Sequence, residues 1–362
     1  MEPRSPGAAR AFALAELSAS RADPARLRWM WGDALYLWSL AELDGFRGEE
    51  HFAPLVDAYC ARFSARPPRV DHADTCAPGL VAWAAWRRSG GAAPLSIAQR
   101  VIAYIEGEPR LVGDLPNHLG HYPEGRLYPS SIWVDSAMML ALPAARMGAE
   151  GGRPELVDLA ARQALQLEVL LRDPATGLCR HCWLARSRRP YPRGPVFWGR
   201  GNGWLMAALP MIRAALPAGH PAAPELAAAV RRLGEALLPL QRSDGWWDTL
   251  LGPGAGRRNH REASATALIA CGLMRAARDG VLDARYATAG ARAFDALADS
   301  LGAEGAPPSL REVSAPTIPL PLAPRLGYAL APRRADLGYG LAALFLAAIE
   351  RERLAAAEGD TR

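Results

Sequence analysis

Four short tracts of the chain, 127–139, 172–183, 197–204 and 244–267, concentrate side chains that can move protons, hold metals or grip a ligand. In "IWVDSAMM", Asp135 is the one carboxylate in an apolar turn behind Trp133. It reads either as a helix-start carboxylate favoured by the helix dipole, or as an acid whose pKa is raised by desolvation against Trp133 and Met138, which would keep it protonated for general acid catalysis. In "CRHC", Cys179 and Cys182 bracket His181. A lone C-x-x-C invites a metal or redox reading, but no second pair completes a zinc site and no βαβ pattern supports a thioredoxin-like fold. Neither metal nor cofactor is therefore expected, and His181 is left to be explained.

The tract "FWGRGNGW" sets Trp198 and Trp204 around Arg200 and Asn202. Pyranose faces stack on indoles, a uronate carboxylate matches a guanidinium fork, and an amide supplies further hydrogen bonds. Gly199, Gly201 and Gly203 would let the backbone approach a ligand and adopt unusual φ. The competing reading is a tryptophan-rich turn packed between helical hairpins.

These residues need elements to position them. Apolar residues recur with helical period along most of the chain, which predicts an all-α protein with helices over 7–21, 27–43, 49–64, 75–90, 94–107, 130–147, 153–172, 200–216, 222–242, 262–279, 283–301 and 337–355. Twelve helices joined alternately by short and long connections suggest six hairpins closing into an (α/α)6 toroid. No composition shift separates two halves, so residues 1–362 are expected to form one domain. The long connections, 108–129, 173–199, 243–261 and 302–336, hold most of the reactive side chains, as functional loops do. Loops entering inner helices would open at one end of the toroid, where helix N-termini favour an acidic ligand.

Half of the residues are apolar and 22% are charged, with a net charge of +5 and a pI near 9.1. All 42 basic residues are arginine. Only "RSRRPYPR", 186–193, clusters them, too short a stripe for a nucleic-acid surface. No window suggests a signal peptide or a membrane span, and the odd count of five cysteines fits a reducing compartment, so a cytoplasmic location is expected.

Taken in order, the tracts resemble the unsaturated rhamnogalacturonyl hydrolases of glycoside hydrolase family 105, which share an (α/α)6 barrel with the unsaturated glucuronyl hydrolases of family 88. The resemblance runs through "RWMWGDALYLWSL", "DTCAPGLVAW", "YPSSIWVDSAMM", "DPATGLCRHCW", "FWGRGNGWLMAAL", "HREASATALIACGL" and "ADLGYGLAALFLAA". It implies a substrate with a 4,5-unsaturated uronate at its non-reducing end, most simply a rhamnogalacturonan-derived disaccharide, with the glucuronyl type as the nearest rival. A binding toroid without turnover is the rival of another class. Asp135 is implied as the general acid at C4, and His181, Trp198, Arg200, Asn202 and Trp204 as the lining of the sugar site, with Trp133 beside the acid. Asp74 is implied as the second acidic residue, with Asp71 as its alternative. The chain departs from the family pattern at Leu184 and Ser131, which bears on substrate contacts.

Overall fold

The computed structural model describes residues 3–122, 124–256, 258–302 and 305–359. Its helices are α1 (Pro6–Arg21), α2 (Trp31–Arg47), α3 (Ala53–Ala65), α4 (Pro78–Ser89), α5 (Ala92–Gly107), α6 (Leu142–Glu150), α7 (Pro154–Leu171), α8 (Gly199–Ala214), α9 (Ala223–Leu237), α10 (Ala263–Arg278), α11 (Ala284–Asp299), the short α12 (Pro324–Ala329) and α13 (Gly338–Gly359). All twelve expected helices are present.

Their packing closes a ring. α2 packs on α4, α4 on α6, α6 on α8, α8 on α10, α10 on α13, and α13 on α2 again. The intervening helices α1, α3, α5, α7, α9 and α11 lie outside it, each against an inner neighbour. This is the (α/α)6 toroid. The difference between rings shows in the sequence: α8 is buried from Gly199 to Ile212, whereas α9 buries only one stripe of helical period, from Leu226 to Leu237. Buried apolar residues from Ala8 to Ile349 form one contiguous cluster.

The helix expected over 130–147 starts later. Residues Ser131–Trp133 form a strand instead, and a π-helical turn, Ala137–Ala141, leads into α6. Among the described residues, nine such strands, each two or three residues long, tie the loops together: β1 (Arg110–Val112), β2 (Leu115–Pro116), β3 (Ser131–Trp133), β4 (Cys182–Leu184), β5 (Arg189–Tyr191), β6 (Phe197–Trp198), β7 (Leu250–Leu251), β8 (Val313–Ser314) and β9 (Arg333–Arg334). The antiparallel sheet β3-β4-β5 and the pairs β6-β7 and β8-β9 all border the candidate site. Among the described residues, no helix is long and apolar enough to cross a membrane.

Candidate functional site

Asp135 and His181 are brought together by the β3-β4 ladder. Trp133 pairs with Cys182, and the Val134 amide donates to the His181 carbonyl at 2.8 Å, so the residues just beyond each strand face one another. Asp135 Oδ2 lies 3.4 Å from His181 Nε2. Neither atom is aligned for a hydrogen bond, and both are buried without a partner among the described residues. The π-helical turn follows at once, with Met138 and Met139 both donating to the Asp135 carbonyl; such turns favour functional sites because they reset the helical register locally.

On its other side the His181 ring meets Tyr328, whose hydroxyl is 2.7 Å from Nδ1. Burial pushes the Tyr328 phenol well up, so it stays protonated, and burial likewise pushes the His181 imidazole below 6.5, toward its neutral form. An ionised Asp135 repels a bare Nε2 lone pair, so the neutral ring carries its proton on Nε2 and accepts from Tyr328 at Nδ1. Tyr328 thus holds His181 by a hydrogen bond at Nδ1, and Nε2 faces Asp135 across 3.4 Å.

The expected upward shift of Asp135 is not what the surroundings produce. Burial does push its carboxyl up, but the facing His181 and His118 imidazoles outweigh that push, and the group sits below its ordinary 3.8. Apolar neighbours were visible in the sequence and the resemblance set His181 in the same site; His118 beside the acid was not visible.

His118, which sequence reasoning missed, completes the second half. Its ring lies flat on Trp133 with centroids 4.7 Å apart, its Nδ1 meets Ser136 Oγ at 2.9 Å, and its Nε2 is 3.5 Å from Asp74 Oδ1. Asp71 turns instead to His72, 2.7 Å away. Of the two aspartates, it is therefore Asp74 that joins the site, through His118. Trp133 stands between the imidazoles, face to His118 and edge to His181, with its indole nitrogen donating to Ser131 Oγ. The available signal was a pair of histidines in the long connection "NHLGHY".

The tract "FWGRGNGW" opens α8. Its glycines do not serve a ligand. None of Gly199, Gly201 and Gly203 has positive φ. A Cβ at Gly199 would meet the Asp248 carbonyl at 2.2 Å, and one at Gly201 would meet the Trp198 ring at 2.7 Å. These positions make room for neighbouring backbone and for the tryptophan. Asn202 is spent on backbone as well: Oδ1 accepts from the Cys179 amide, and Nδ2 donates to the Cys179 and Trp198 carbonyls. It pins the loop carrying His181 to α8, so its contribution is positioning.

Trp198 stacks on His181 at 4.3 Å and carries the Arg200 guanidinium at 4.7 Å; it is buried, so no pyranose lies flat on it in this arrangement. Trp204 is buried too, edge-on to Trp31, which packs on Tyr339. Arg200, 1% exposed, differs from the expected free clamp. Its Nη1 donates to the Ser314 carbonyl and its Nη2 to the Ala315 carbonyl and Thr317 Oγ1, while Glu262 faces it at 3.6 Å. Glu262 in turn caps α10 through the Ala265 amide and accepts from the Ser314 amide. The Arg200–Glu262 pair thus anchors the segment 314–330, a strap that crosses the site and delivers Tyr328.

Three donors in this tract remain buried without an acceptor among the described residues: Trp198 Nε1, Arg200 Nε and Trp204 Nε1. Buried polar groups are almost always paired. Their residues belong to one continuous run of ring contacts from His118 through Trp133, His181, Trp198, Arg200 and Tyr339 to Trp31 and Trp204.

Cys179 and Cys182 are buried free thiols, with burial raising both and Cys182 pushed up to about 12. No group of three or more His, Cys, Asp or Glu side chains suited to a metal ion occurs among the described residues.

The toroid matches solved structures. A family 105 glycoside hydrolase from C. acetobutylicum ATCC 824 superposes with a TM-score of 0.85 at 21% identity, covering 95% of this chain and 99% of that one. The unsaturated glucuronyl hydrolase of Bacillus sp. GL1 gives 0.73 at 18% identity, covering 95% of each. Among curated proteins, the unsaturated 3S-rhamnoglycuronyl hydrolase of Alteromonas sp. (strain LOR) is 43% identical over 89 residues, 24% of this chain and 21% of the relative. The unsaturated rhamnogalacturonyl hydrolase YesR of Bacillus subtilis (strain 168) is 31% identical over 227 residues, 61% of this chain and 60% of the relative. The matched parts therefore span about a fifth and three fifths of those two proteins. The model of Glycosyl Hydrolase Family 88 matches residues 14–355, and the chain belongs to that family.

Proposed function

We propose that this protein hydrolyses oligosaccharides ending in a 4,5-unsaturated uronic acid, with an unsaturated galacturonyl-rhamnose unit as the substrate. One observation carries the reading. Unpartnered buried donors around the start of α8, on Trp198, Arg200 and Trp204, share one aromatic run with an unpartnered carboxylate–imidazole pair, and an anionic sugar supplies acceptors to the donors and an electron-rich double bond to the acid.

Asp135 acts as general acid. It transfers its proton to C4 and leaves an oxocarbenium ion shared between C5 and the ring oxygen. Water then attacks C5 while the Asp135 carboxylate takes back a proton, and the resulting hemiketal opens to release the aglycone. One carboxyl group serves both steps, unlike the flanking pair of ordinary glycosidases. A resting Asp135 below its ordinary pKa must be protonated once substrate is bound; the arriving uronate charge and the loss of water both push it upward. Asp74 acts on the same ring through His118, and Trp133 walls it. The names of the YesR and 3S-rhamnoglycuronyl relatives support the substrate class. All five cysteines are free and buried, which fits a cytoplasmic protein.

The test is ultraviolet absorbance of unsaturated uronyl disaccharides incubated with the protein, because hydration of the double bond destroys the chromophore. Loss of absorbance with release of the aglycone sugar is expected. An unchanged spectrum with every unsaturated disaccharide of this class would overturn the reading.

A further inference from the structure

The net positive charge of the chain is concentrated around the strap. Four segments meet there. Tyr128 donates to the Pro319 carbonyl, Tyr191 to those of Leu320 and Pro321, and Arg325 lies against Gly256. The segments 124–130, 185–196, 252–259 and 315–335 together hold ten arginines and a single acidic residue, Glu124. Since the whole chain carries only +5, everything outside these segments is net negative. Fields of this kind steer anions toward the surface that bears them.

The arginines are available. Arg126, Arg186, Arg188, Arg189, Arg193 and Arg325 are exposed and have no ion-pair partner among the described residues. Elsewhere acids do take up guanidinium groups, as at Arg146 with Glu42 and Glu150, or Arg232 with Glu168. The densest group lies on the turn joining β4 to β5. That hairpin is an extension of the sheet that aligns Asp135 with His181, so its tip has a defined direction from the acid. From His181 to Arg186 the chain runs along β4, roughly 10–15 Å at extended spacing. A ring seated at Asp135 does not reach that far; the sugars that follow it do.

We propose that this arginine rim is an aglycone site for anionic groups, carboxylate or sulfate ester, carried by the second or third sugar of the substrate. Guanidinium forks match either oxyanion. The inference rests on the hydrolase reading above and deepens it: the preferred substrate carries at least two negative charges, one at the acid and one at the rim.

The experiment compares three unsaturated uronyl substrates: a disaccharide with a neutral aglycone, an oligosaccharide with a second uronate, and one with a sulfate ester on the aglycone. Wild type is set against the triple variant Arg186→Ser, Arg188→Ser, Arg189→Ser. In wild type at low salt, kcat/KM is expected to favour at least one charged aglycone by about tenfold, the scale of several exposed ion pairs acting together. The preference should collapse in the triple variant, and in wild type near ~0.5 M salt, where exposed charges are screened within a few ångströms. The two charged substrates separate carboxylate from sulfate recognition. An equal ratio of charged to neutral kcat/KM in wild type and variant overturns the rim site while leaving the hydrolase reading intact. If no unsaturated substrate is turned over, the hydrolase reading fails, and the rim is judged by calorimetric binding of saturated tetragalacturonate. Binding by wild type and its loss in the variant support the site. Absence of binding, or equal displacement by a polyphosphate of the same charge, overturns it in favour of a non-specific polyanion surface.

Discussion

Asp135 Oδ2 and His181 Nε2 face one another at 3.4 Å from the ends of two adjacent strands. The backbone bond between Val134 and His181 sets their separation, so each side chain can be changed without moving the other's backbone. Asp135→Asn is expected to fold normally and to lose about 10²–10⁴ in kcat, the usual worth of a general acid. Turnover of the unsaturated disaccharide measures it, and a loss below about tenfold would count against the role.

Tyr328→Phe keeps the ring stack on His181 and removes the hydroxyl at Nδ1. The imidazole is then free to take its other tautomer, with the Nε2 proton no longer facing Asp135. The variant should lower kcat several-fold and displace its pH profile while leaving KM close to wild type. A purely packing role for Tyr328 predicts no change in that profile.

The acid and its histidine set a pH dependence of definite sign. With Asp135 below 3.8 in the free protein, kcat/KM should fall as pH rises, because the protonated fraction shrinks. The falling limb of kcat should lie at higher pH, since bound uronate raises the acid; coincident limbs would refute that step. Stability runs the other way. The folded pKa of His181 is depressed below 6.5, so the unfolded chain binds its proton first as pH falls, and the stabilisation present above 6.5 is lost on acidification. Asp135, also depressed, adds a loss of the same sign beginning near 3.8. The urea midpoint should therefore drop between about pH 7 and pH 5.5, and drop less in His181→Gln.

Arg200→Ala leaves Glu262 buried without its cation and releases three bonds to the strap. Breaking a buried pair on one side costs about 3–5 kcal/mol, which denaturant titration would show. Arg200→Lys keeps the charge and loses the fork. If Arg200 serves the strap, both variants should be impaired to the same degree on the unsaturated acid and on its methyl ester. Convergence with wild type on the ester alone would instead identify Arg200 as the partner of the uronate carboxylate.

Activity should survive exhaustive chelation, and Cys179→Ser with Cys182→Ser should retain most of it, since these thiols are buried core groups. Activity lost to chelator and restored by one metal would reopen the C-x-x-C tract as a ligand pair.

The helices were legible because each buries a stripe or a whole surface whose period is local to the sequence, and Asp135 stood out by its apolar company, whereas His181 and Asp74, the latter with Asp71 as its alternative, were assigned to the site only through the family resemblance. What escaped depended on distant partners. Ser131–Trp133 reads as helix until Cys182–Leu184 pairs with it. Tyr328 sits in a proline- and leucine-rich stretch with nothing nearby to mark it, 147 positions from the imidazole it meets. Arg200 and Asn202 were correctly seen as unusual, but their acceptors are backbone carbonyls, which no side-chain pattern announces.

The β3-β4 ladder has a consequence for the order in which the chain acquires its shape. Its two strands flank a single helical hairpin, α6 with α7, so the acid and its imidazole can meet as soon as that hairpin closes, at a smaller entropic cost than the contact with Tyr328, 147 positions away. The strap arrives only when residues 314–330 dock on α8 and α10. A chain nicked between α11 and the strap would accordingly keep the carboxylate beside the imidazole while losing the phenol that orders it.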